Sequence, residues 1–128
     1  MTGVYTVLVD GDDHNEPIAD TARSILDGHV VLDRKLATAG HFPSIDVLGS
    51  ISRSANRVTS REQQGAARAL RSALAARRSV QDLIDVGAYA QGSNPKVDAA
   101  VAFAADIDAF LTQEMDDVTP LDLSLIHI

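Results

Sequence analysis

The chain has 128 residues, a formal net charge of −7 at neutral pH, 45% hydrophobic and only 4% aromatic side chains, and no cysteine. This length suits one domain, whose core must be built from Ala, Val, Leu and Ile and so favours helices packed closely through alanine. The acidity argues against nucleic-acid binding, which needs a basic face, and the lack of cysteine excludes disulfides and thiolate zinc sites.

The chain opens with an apolar stretch and a helix pattern. Residues 4–9, VYTVLV, predict a strand buried on both faces, as in a parallel sheet. After an acidic loop, Pro17 falls in the first turn of a predicted helix whose apolar stripe stops at Gly28. The first two elements are therefore a strand and a helix of about three turns.

The same alternation continues along the chain. Residues 29–32, HVVL, predict a second strand. Asp33 is placed to cap a short helix over residues 34–39, and Gly40 is placed to terminate that helix in a left-handed conformation. Strand, helix, strand and helix in this order indicate an α/β fold.

A stretch of fourteen residues, 40–53, combines a turn, an aromatic ring and a cation in the sequence GHFPSIDVLGSISR. Phe42 beside Pro43 predicts a rigid apolar ledge at the turn, and Arg53 ends a short run of alternating apolar residues. From these residues alone, the ordinary interpretation is a core phenylalanine and a solvated arginine.

From Thr59 onward the pattern is helical almost throughout. Thr59 and Glu62 have the spacing of a capping box, and Gly87 is a plausible stop for the long helical segment that follows. Residues 88–95, AYAQGSNP, predict a turn that ends where Asn94 caps a last helix. In that helix apolar residues recur at threes and fours, at Val97, Val101, Ala104, Ile107 and Leu111.

Several patterns that would indicate a location or a reaction are absent from the sequence. No apolar run is as long as a membrane span, and no signal-peptide pattern opens the chain, so we expect a soluble, intracellular protein. There is no nucleophile elbow and no phosphate-binding GxxxxGK[ST] loop. The chain is therefore not expected to hold nucleotide phosphates by itself in the P-loop manner.

Charged and histidine clusters have ordinary interpretations. The four histidines (His14, His29, His41 and His127) show no metal-ligand spacing, so no metal site is predicted from them. Four arginines lie in the long helical segment, where a solvated face is the usual explanation: Arg68, Arg71, Arg77 and Arg78.

The acidic loop supports a rival interpretation. Asp10, Asp12 and Asp13 follow the first predicted strand, where clustered carboxylates can hold Mg²⁺, as in a phosphoacceptor receiver domain. That interpretation needs an aspartate at the end of a second strand and a lysine at the end of a later one. The candidates, Asp46 and Lys96, are badly placed for these roles.

Three motifs, GDDxNEPIAD, SILDGHxVLxR and GHFPSIDVLxSISR, make the chain resemble the flagellar and type III secretion export ATPases, relatives of the catalytic subunit of rotary F-type ATPases. The resemblance runs from about residue 2 to residue 113. It implies the C-terminal part of a RecA-like P-loop domain over residues 1–57 and an all-α C-terminal domain over residues 58–113.

The resemblance also implies that the chain is the C-terminal portion of a longer enzyme, whose N-terminal barrel and P-loop half precede residue 4. Residues 114–128 are then a tail. Its last six residues, 123–128, have the sequence LSLIHI and resemble the translation of a sequencing-library adapter, so they are excluded from the fold prediction. We expect such a fragment to be inactive alone and to expose the apolar edge of the first strand.

Residue roles follow from the resemblance position by position. Arg53 matches the family's arginine finger, which reaches a neighbouring subunit's ATP and in related systems is worth about 10³ to 10⁵ in rate. Phe42, with Pro43, falls where the family stacks an aromatic ring, usually tyrosine, on adenine. Arg34 also matches a family arginine, for which an ion pair within the domain and a nucleotide contact are both open.

The resemblance implies partners as well. Asp12, Asp13 and Glu16 correspond to the loop that faces a central stalk protein, although a solvated loop explains them equally well. The helical region corresponds to the domain that engages export chaperones and substrates and faces the export gate at the membrane. Residues 89–94 lack the acidic side chains that rotary relatives carry there, so a stalk contact is not transferred to them.

Together these matches imply a cytoplasmic, ring-forming ATPase, a hexamer at the cytoplasmic face of the export apparatus, that hydrolyses ATP with Mg²⁺ to drive protein export. One alternative is a non-enzymatic interaction module, in which the helical region binds a partner and the α/β part is only a platform. The other alternative is the receiver-like phosphoacceptor domain.

Overall fold

The computed structural model describes residues 2–9, 11, 13, 16–118 and 120. Seven helices and two strands lie in this part of the chain, in the order α1 (Pro17–Ile25), β1 (Gly28–Leu32), α2 (Arg34–Thr38), β2 (Ile45–Ser52), α3 (Ala55–Val58), α4 (Arg61–Ser79), α5 (Gln81–Asp85), α6 (Pro95–Ala102) and α7 (Ala104–Leu111). The adapter-like tail, residues 123–128, lies outside the described residues.

The first predicted strand is wrong. Residues 2–9 have no regular secondary structure, and Val4 and Leu8 are 93% and 90% exposed. A strand must pair its amides and carbonyls with a neighbouring strand, and β1 and β2 pair with each other instead. These apolar side chains are exposed as expected, but they belong to an irregular segment and not to the edge of a strand.

The helix and the strand that follow are confirmed with a shifted boundary. α1 starts at Pro17 as predicted but ends at Ile25, and Gly28 opens β1 rather than closing the helix. A Cβ at Gly28 would lie 2.6 Å from the carbonyl oxygen of Ile51, so this glycine permits the close approach of β2.

The short helix α2 is confirmed with its caps. The Asp33 side chain accepts a hydrogen bond from the Lys35 amide at 2.7 Å, which satisfies one of the free amides at the start of the helix. Gly40 follows with φ of +77°, the left-handed conformation expected of a helix terminator. After a turn with a cis peptide bond between Phe42 and Pro43, the alternating run forms β2.

β1 and β2 form a two-stranded antiparallel sheet, so the parallel arrangement expected from the first apolar run is not what the structure contains. Leu32 pairs with Ile45 at one end of the ladder, and Gly28 pairs with Ser52 at the other. Between these ends the register shifts, because β2 carries more residues than β1.

The capping box of the long helix is one residue later than predicted. Ser60 caps α4: its side chain accepts from the Gln63 amide, and the Gln63 side chain accepts from the Ser60 amide. Thr59 instead closes α3, where its hydroxyl donates to the Ala55 carbonyl. Both residue pairs fit the same spacing rule, and the short preceding helix decides between them.

Two helices rather than one follow the turn. Asn94 caps α6 and Pro95 opens it as predicted, but the helix stops at Ala102, and α7 begins after Phe103. α6 packs against α4, so the two helices form a helical hairpin. Val97 and Ala100 of α6 are buried, and alanines line the seam between the two helices, as the low aromatic content predicts.

Candidate functional site

The two principal candidate residues lie at opposite ends of β2. Phe42 precedes the strand and Arg53 follows it directly. β2 pairs at its two ends with Leu32 and Gly28 of β1, which are four steps of about 3.3 Å apart, so the ends of β2 lie roughly 13 Å from each other. The structure therefore does not bring Phe42 and Arg53 into one site.

Arg53 lies beside the end of α1. Its amide donates to the carbonyl of Asp27 at 2.8 Å, which fixes the backbone. Its exposed guanidinium donates to the carbonyls of Ser24 and Arg23 over 3.4 and 3.5 Å, contacts at the long limit for hydrogen bonds. The last carbonyls of a helix carry partial negative charge, which suits a cation there. An anion of full charge would attract the guanidinium more strongly.

Phe42 lies on the surface with Pro43, and its side chain is 55% exposed. Its carbonyl accepts a hydrogen bond from the Gln113 amide at 2.8 Å, so the chain after α7 returns to hold this turn. An exposed ring on an anchored backbone can stack on a planar ligand at little cost in conformational entropy.

Arg34 is the first residue of α2, and it is exposed. It lines an open pocket of about 830 Å³ between β1, α2 and β2, in which Arg23 and Lys35 supply further positive charge and Asp33 and Asp46 supply carboxylates. This mixed lining suits either of the two roles left open for Arg34.

Two of the three acidic loop residues are described. Asp13 is exposed, and its carbonyl accepts from the Glu16 amide at 3.0 Å. Glu16 is the N-cap residue of α1 and makes no capping hydrogen bond with its side chain. Asp12 lies outside the described residues, so the structure locates this acidic loop only by Asp13 and Glu16.

The arginines of α4 are not a solvated face, and that expectation is wrong for three of the four. Arg71 donates to backbone carbonyls of β2, Arg77 pairs with Asp108 of α7 at 3.0 Å, and Arg78 pairs with Asp46 at 2.8 Å. Only Arg68 stays on its own helix, where it donates to the Gln64 carbonyl.

The sequence carried a signal for these contacts. Arg71 and Arg78 are seven residues apart and flank Leu74 at helical spacing, so they lie on the apolar face of α4 rather than on the opposite one. Basic side chains on an apolar stripe indicate partners on the packed element. They join the helical region to the strand that leads from Phe42 to Arg53.

Asp46 is the acidic partner in this contact. Burial by itself would raise its pKa, but the hydrogen bond from Arg78, those from the amides of Gly49 and Leu48, and the charge of Arg78 together hold the pKa of Asp46 below its usual value. It is therefore ionised near neutral pH and committed to a structural contact, which removes it from the role of a receiver-domain aspartate.

Most of the remaining receiver-domain and metal candidates lie outside the part of the chain that the structure describes. Asp10 and Asp12 lie outside the described residues, as do His14 and His127, and Lys96 is an exposed residue at the start of α6. Within the described ranges, no three His, Asp or Glu side chains are grouped closely enough to hold a metal ion. The Nε2 atom of His29 lies 3.2 Å from the carbonyl oxygen of Gly49.

Among the residues that the structure describes, no helix has both the length and the apolar character needed to cross a membrane.

Two family models match the chain. The model of the T3SS EscN ATPase C-terminal domain matches residues 59–127, and the model of the ATP synthase alpha/beta family, nucleotide-binding domain, matches residues 1–52. The Flagellum-specific ATP synthase of Treponema pallidum (strain Nichols) is 53% identical over 113 residues, which are 88% of this chain and 25% of the relative. The chain spans about a quarter of the length of the curated relatives it matches.

Solved structures give the same result. The assembled ATPase EscN from the enteropathogenic E. coli type III secretion system matches with a TM-score of 0.89 and 38% identity, over 96% of this chain and 30% of that one. EscN in complex with its central stalk EscO matches with a TM-score of 0.80 and 37% identity, over 87% of this chain and 27% of that one.

Proposed function

Because the chain belongs to the family of flagellar and type III secretion ATPases, we propose that it works as the C-terminal part of a longer enzyme that hydrolyses ATP with Mg²⁺ to energise protein export. In this proposal residues 1–57 complete a RecA-like ATPase domain, and residues 58–113 form the C-terminal helical domain. In this proposal the P-loop and the catalytic glutamate lie in the part of the longer enzyme that precedes this chain, so the chain alone is expected to be inactive.

One observation carries the proposal for Arg53. Among the described residues, its exposed guanidinium is held only by long contacts to two carbonyls at the end of α1, while its backbone is fixed by a short hydrogen bond. A cation mounted in this way can turn toward the γ-phosphate of a neighbouring subunit without unfolding its support. There it stabilises the charge that develops during phosphoryl transfer.

Phe42 and Pro43 serve a different nucleotide in this proposal. The exposed ring of Phe42 stacks on the adenine bound by its own subunit, an interaction worth about 1 to 3 kcal/mol. Because β2 separates Phe42 from Arg53, one strand contributes to two sites that belong to two neighbouring subunits. Arg34 lies in a pocket with both basic and acidic side chains and contacts the nucleotide or an acidic residue of its own domain.

Partners follow from the same family. EscN has been solved as an assembled ATPase and with a central stalk, EscO. We propose a homo-oligomeric ring, a hexamer, at the cytoplasmic face of an export apparatus, with Asp12, Asp13 and Glu16 on the loop that faces a stalk protein. The helical domain then engages export chaperones and substrates and faces the export gate.

The test uses the full-length enzyme that contains this chain. Arg53→Ala is expected to lower kcat by about 10³-fold or more with little change in nucleotide affinity, since the finger acts on the transition state. Arg57→Ala is the matched control, because Arg57 is an exposed arginine on α3 only four residues away. Equal turnover in the Arg53→Ala and Arg57→Ala enzymes would remove Arg53 from the role.

A mixing experiment tests action across the subunit interface. Rings are assembled from Arg53→Ala subunits and from subunits whose phosphate-binding lysine is replaced, each inactive alone. Mixed rings regain activity wherever an intact finger faces an intact phosphate site. Mixed rings as inactive as either parent contradict a finger that acts in trans.

A further inference from the structure

The irregular part of β2 is the starting point. Between the pairs His29 with Ile51 and Val31 with Asp46, β1 has a single residue, whereas β2 has four, residues 47–50. We call these four residues the β2 bulge. Extra residues in one strand leave amides and carbonyls without partners in the ladder, so other groups must satisfy them.

One side chain from the helical region satisfies most of the carbonyls. The Nη1 atom of Arg71 donates to the carbonyl of Val47 at 2.8 Å and to that of Ser50 at 3.3 Å, and its Nη2 atom donates to the carbonyl of Leu48 at 3.2 Å. A planar guanidinium with several donors in a fixed fork suits three carbonyls on one curved segment. Arg71 thus holds three of the four carbonyls of the bulge.

The sheet supplies the remaining contacts. The Asp46 carboxylate accepts from the Leu48 amide at 3.0 Å, and the Ser50 hydroxyl donates to the Asp46 carbonyl at 2.7 Å and accepts from the Val31 amide at 2.9 Å. His29 lies against the carbonyl of Gly49. The bulge is a fixed feature of the strand, and only the contacts from Arg71 come from α4.

The bulge lies between the two candidate residues and affects them unequally. Phe42 lies before it and has its own anchor, the hydrogen bond from the Gln113 amide, and the regular pair of Leu32 with Ile45 follows. Arg53 lies after it, only three residues beyond Ser50. The backbone of Arg53 is held by the pair of Ser52 with Gly28 and by its own amide hydrogen bond to Asp27, so a change in the shape of the bulge is expected to turn the loosely held guanidinium rather than to displace the backbone.

We propose that Arg71 is a positioning residue for Arg53: by holding three carbonyls of the β2 bulge, it sets the direction in which the Arg53 guanidinium points. This proposal rests on the proposed role of Arg53. The helical region then influences the position of a catalytic group, because the guanidinium of Arg71 links the orientation of α4 on β2 to the orientation of Arg53.

The primary test measures ATP hydrolysis by the full-length enzyme with Arg71→Ala. A misplaced catalytic group costs up to about 10²-fold in rate, so kcat is expected to fall between about tenfold and 10²-fold. KM for ATP is expected to change by less than about twofold, because the adenine contact is anchored separately. Arg68→Ala, on the same helix, is the control and keeps wild-type kcat.

A second variant guards against failure of Arg71→Ala to fold. Arg71→Lys keeps the charge but replaces the fork with a single ammonium group, so it is expected to recover only a minor part of the lost kcat at unchanged KM. Full recovery by lysine would show that charge alone matters and would overturn the positioning role. Melting temperatures of all variants are recorded with the kinetics.

The decisive measurement combines Arg71→Ala with Arg53→Ala. If Arg71 acts through Arg53, the double variant is no slower than Arg53→Ala alone, because the finger that Arg71 positions is already gone. Losses that multiply in the double variant indicate a merely structural Arg71 and overturn the inference.

The outcomes separate this inference from the proposed function. A slow Arg53→Ala enzyme together with a normal Arg71→Ala enzyme overturns the inference alone and leaves the finger in place. A normal Arg53→Ala enzyme overturns both.

Discussion

The helical hairpin and the two-stranded sheet bury their apolar side chains to different extents. In the hairpin, Val97 and Ala100 of α6 lie almost completely buried against α4. In the sheet, Val30 and Leu32 of β1 are 66% and 65% exposed, although these residues are as apolar as Val97 and Ala100. Similar residue types thus lead to a closed seam in one region and an open face in the other.

The difference follows from how each element satisfies its backbone. A helix pairs its own amides and carbonyls, so two helices need only one shared apolar stripe to form a seam. A strand depends on neighbours on both edges and on cover for its faces, and two strands cannot supply these for each other. Within the described residues, the sheet is supported mainly through β2, where α4 reaches it with Arg71 and Arg78.

The largest expected effect on stability lies in the hairpin seam. Val97→Ala is expected to lower the free energy of unfolding by about 1.5 to 3 kcal/mol, since Val97 is only 2% exposed. Urea denaturation followed by far-ultraviolet circular dichroism measures this change. Two matched valines serve as controls, Val101 on the same helix and Val30 in the sheet; their alanine variants are expected to stay within about 0.5 kcal/mol of the parent. Equal losses of unfolding free energy at all three positions would contradict the proposed difference in burial between the hairpin and the sheet.

A smaller effect, on ligand affinity, is expected in the sheet-bearing region. In the full-length enzyme, Phe42→Ala is expected to weaken ATP-analogue binding by about 1 to 3 kcal/mol through loss of the stacking contact, measured by calorimetry. Phe42→Tyr keeps the ring and should bind as well as the parent. Phe103 is a similarly exposed phenylalanine in the hairpin, and Phe103→Ala is the control. Equal weakening by the two alanine variants contradicts an adenine contact at Phe42.

The smallest effect concerns the junction between the two regions and depends on pH. The pKa of Asp46 is lowered in the folded chain, so its ionised form stabilises the fold above its unfolded pKa of about 3.9. This contribution is lost as the pH falls through the lower folded pKa. Since Arg78 is more than half exposed, the contribution at neutral pH is about 1 kcal/mol or less.

Acid titration of stability tests this junction. Asp46→Asn is expected to flatten the dependence of unfolding free energy on pH below about pH 4. Asp106→Asn, at an exposed aspartate of α7, is the control and should keep the parent's slope. If Asp46→Asn leaves the dependence of unfolding free energy on pH unchanged, other carboxylates determine how stability falls at acid pH.

Local signals in the sequence were reliable where the structure depends on neighbouring residues. Asp33 and Asn94 cap the helices predicted for them, and Gly40 adopts its predicted left-handed conformation. The predictions were wrong where two local solutions competed, as at Thr59 and Ser60, and where one periodic pattern hid the break at Phe103. The strand over residues 4–9 was wrong because its formation depends on distant chain segments.

The candidate site was predictable only in part. Three motifs, in residues 11–20, 24–34 and 40–53, led to the family, which the two family models and the relatives show. The roles of Arg53, Phe42, Pro43, Arg34 and the acidic loop stay predictions. The basic residues of α4 were assigned to solvent, although the positions of Arg71 and Arg78 beside Leu74 indicated a packed face.

The sequence by itself determined the helix starts, the alanine-based seam and the family, because caps, periodicity and motifs lie in contiguous residues. Only the tertiary structure decided the antiparallel pairing of β1 with β2, the β2 bulge and the destination of Arg71. The physical reason is that Arg71 binds backbone carbonyls, which every residue carries. Such a contact leaves no mark on the sequence of the strand that accepts it.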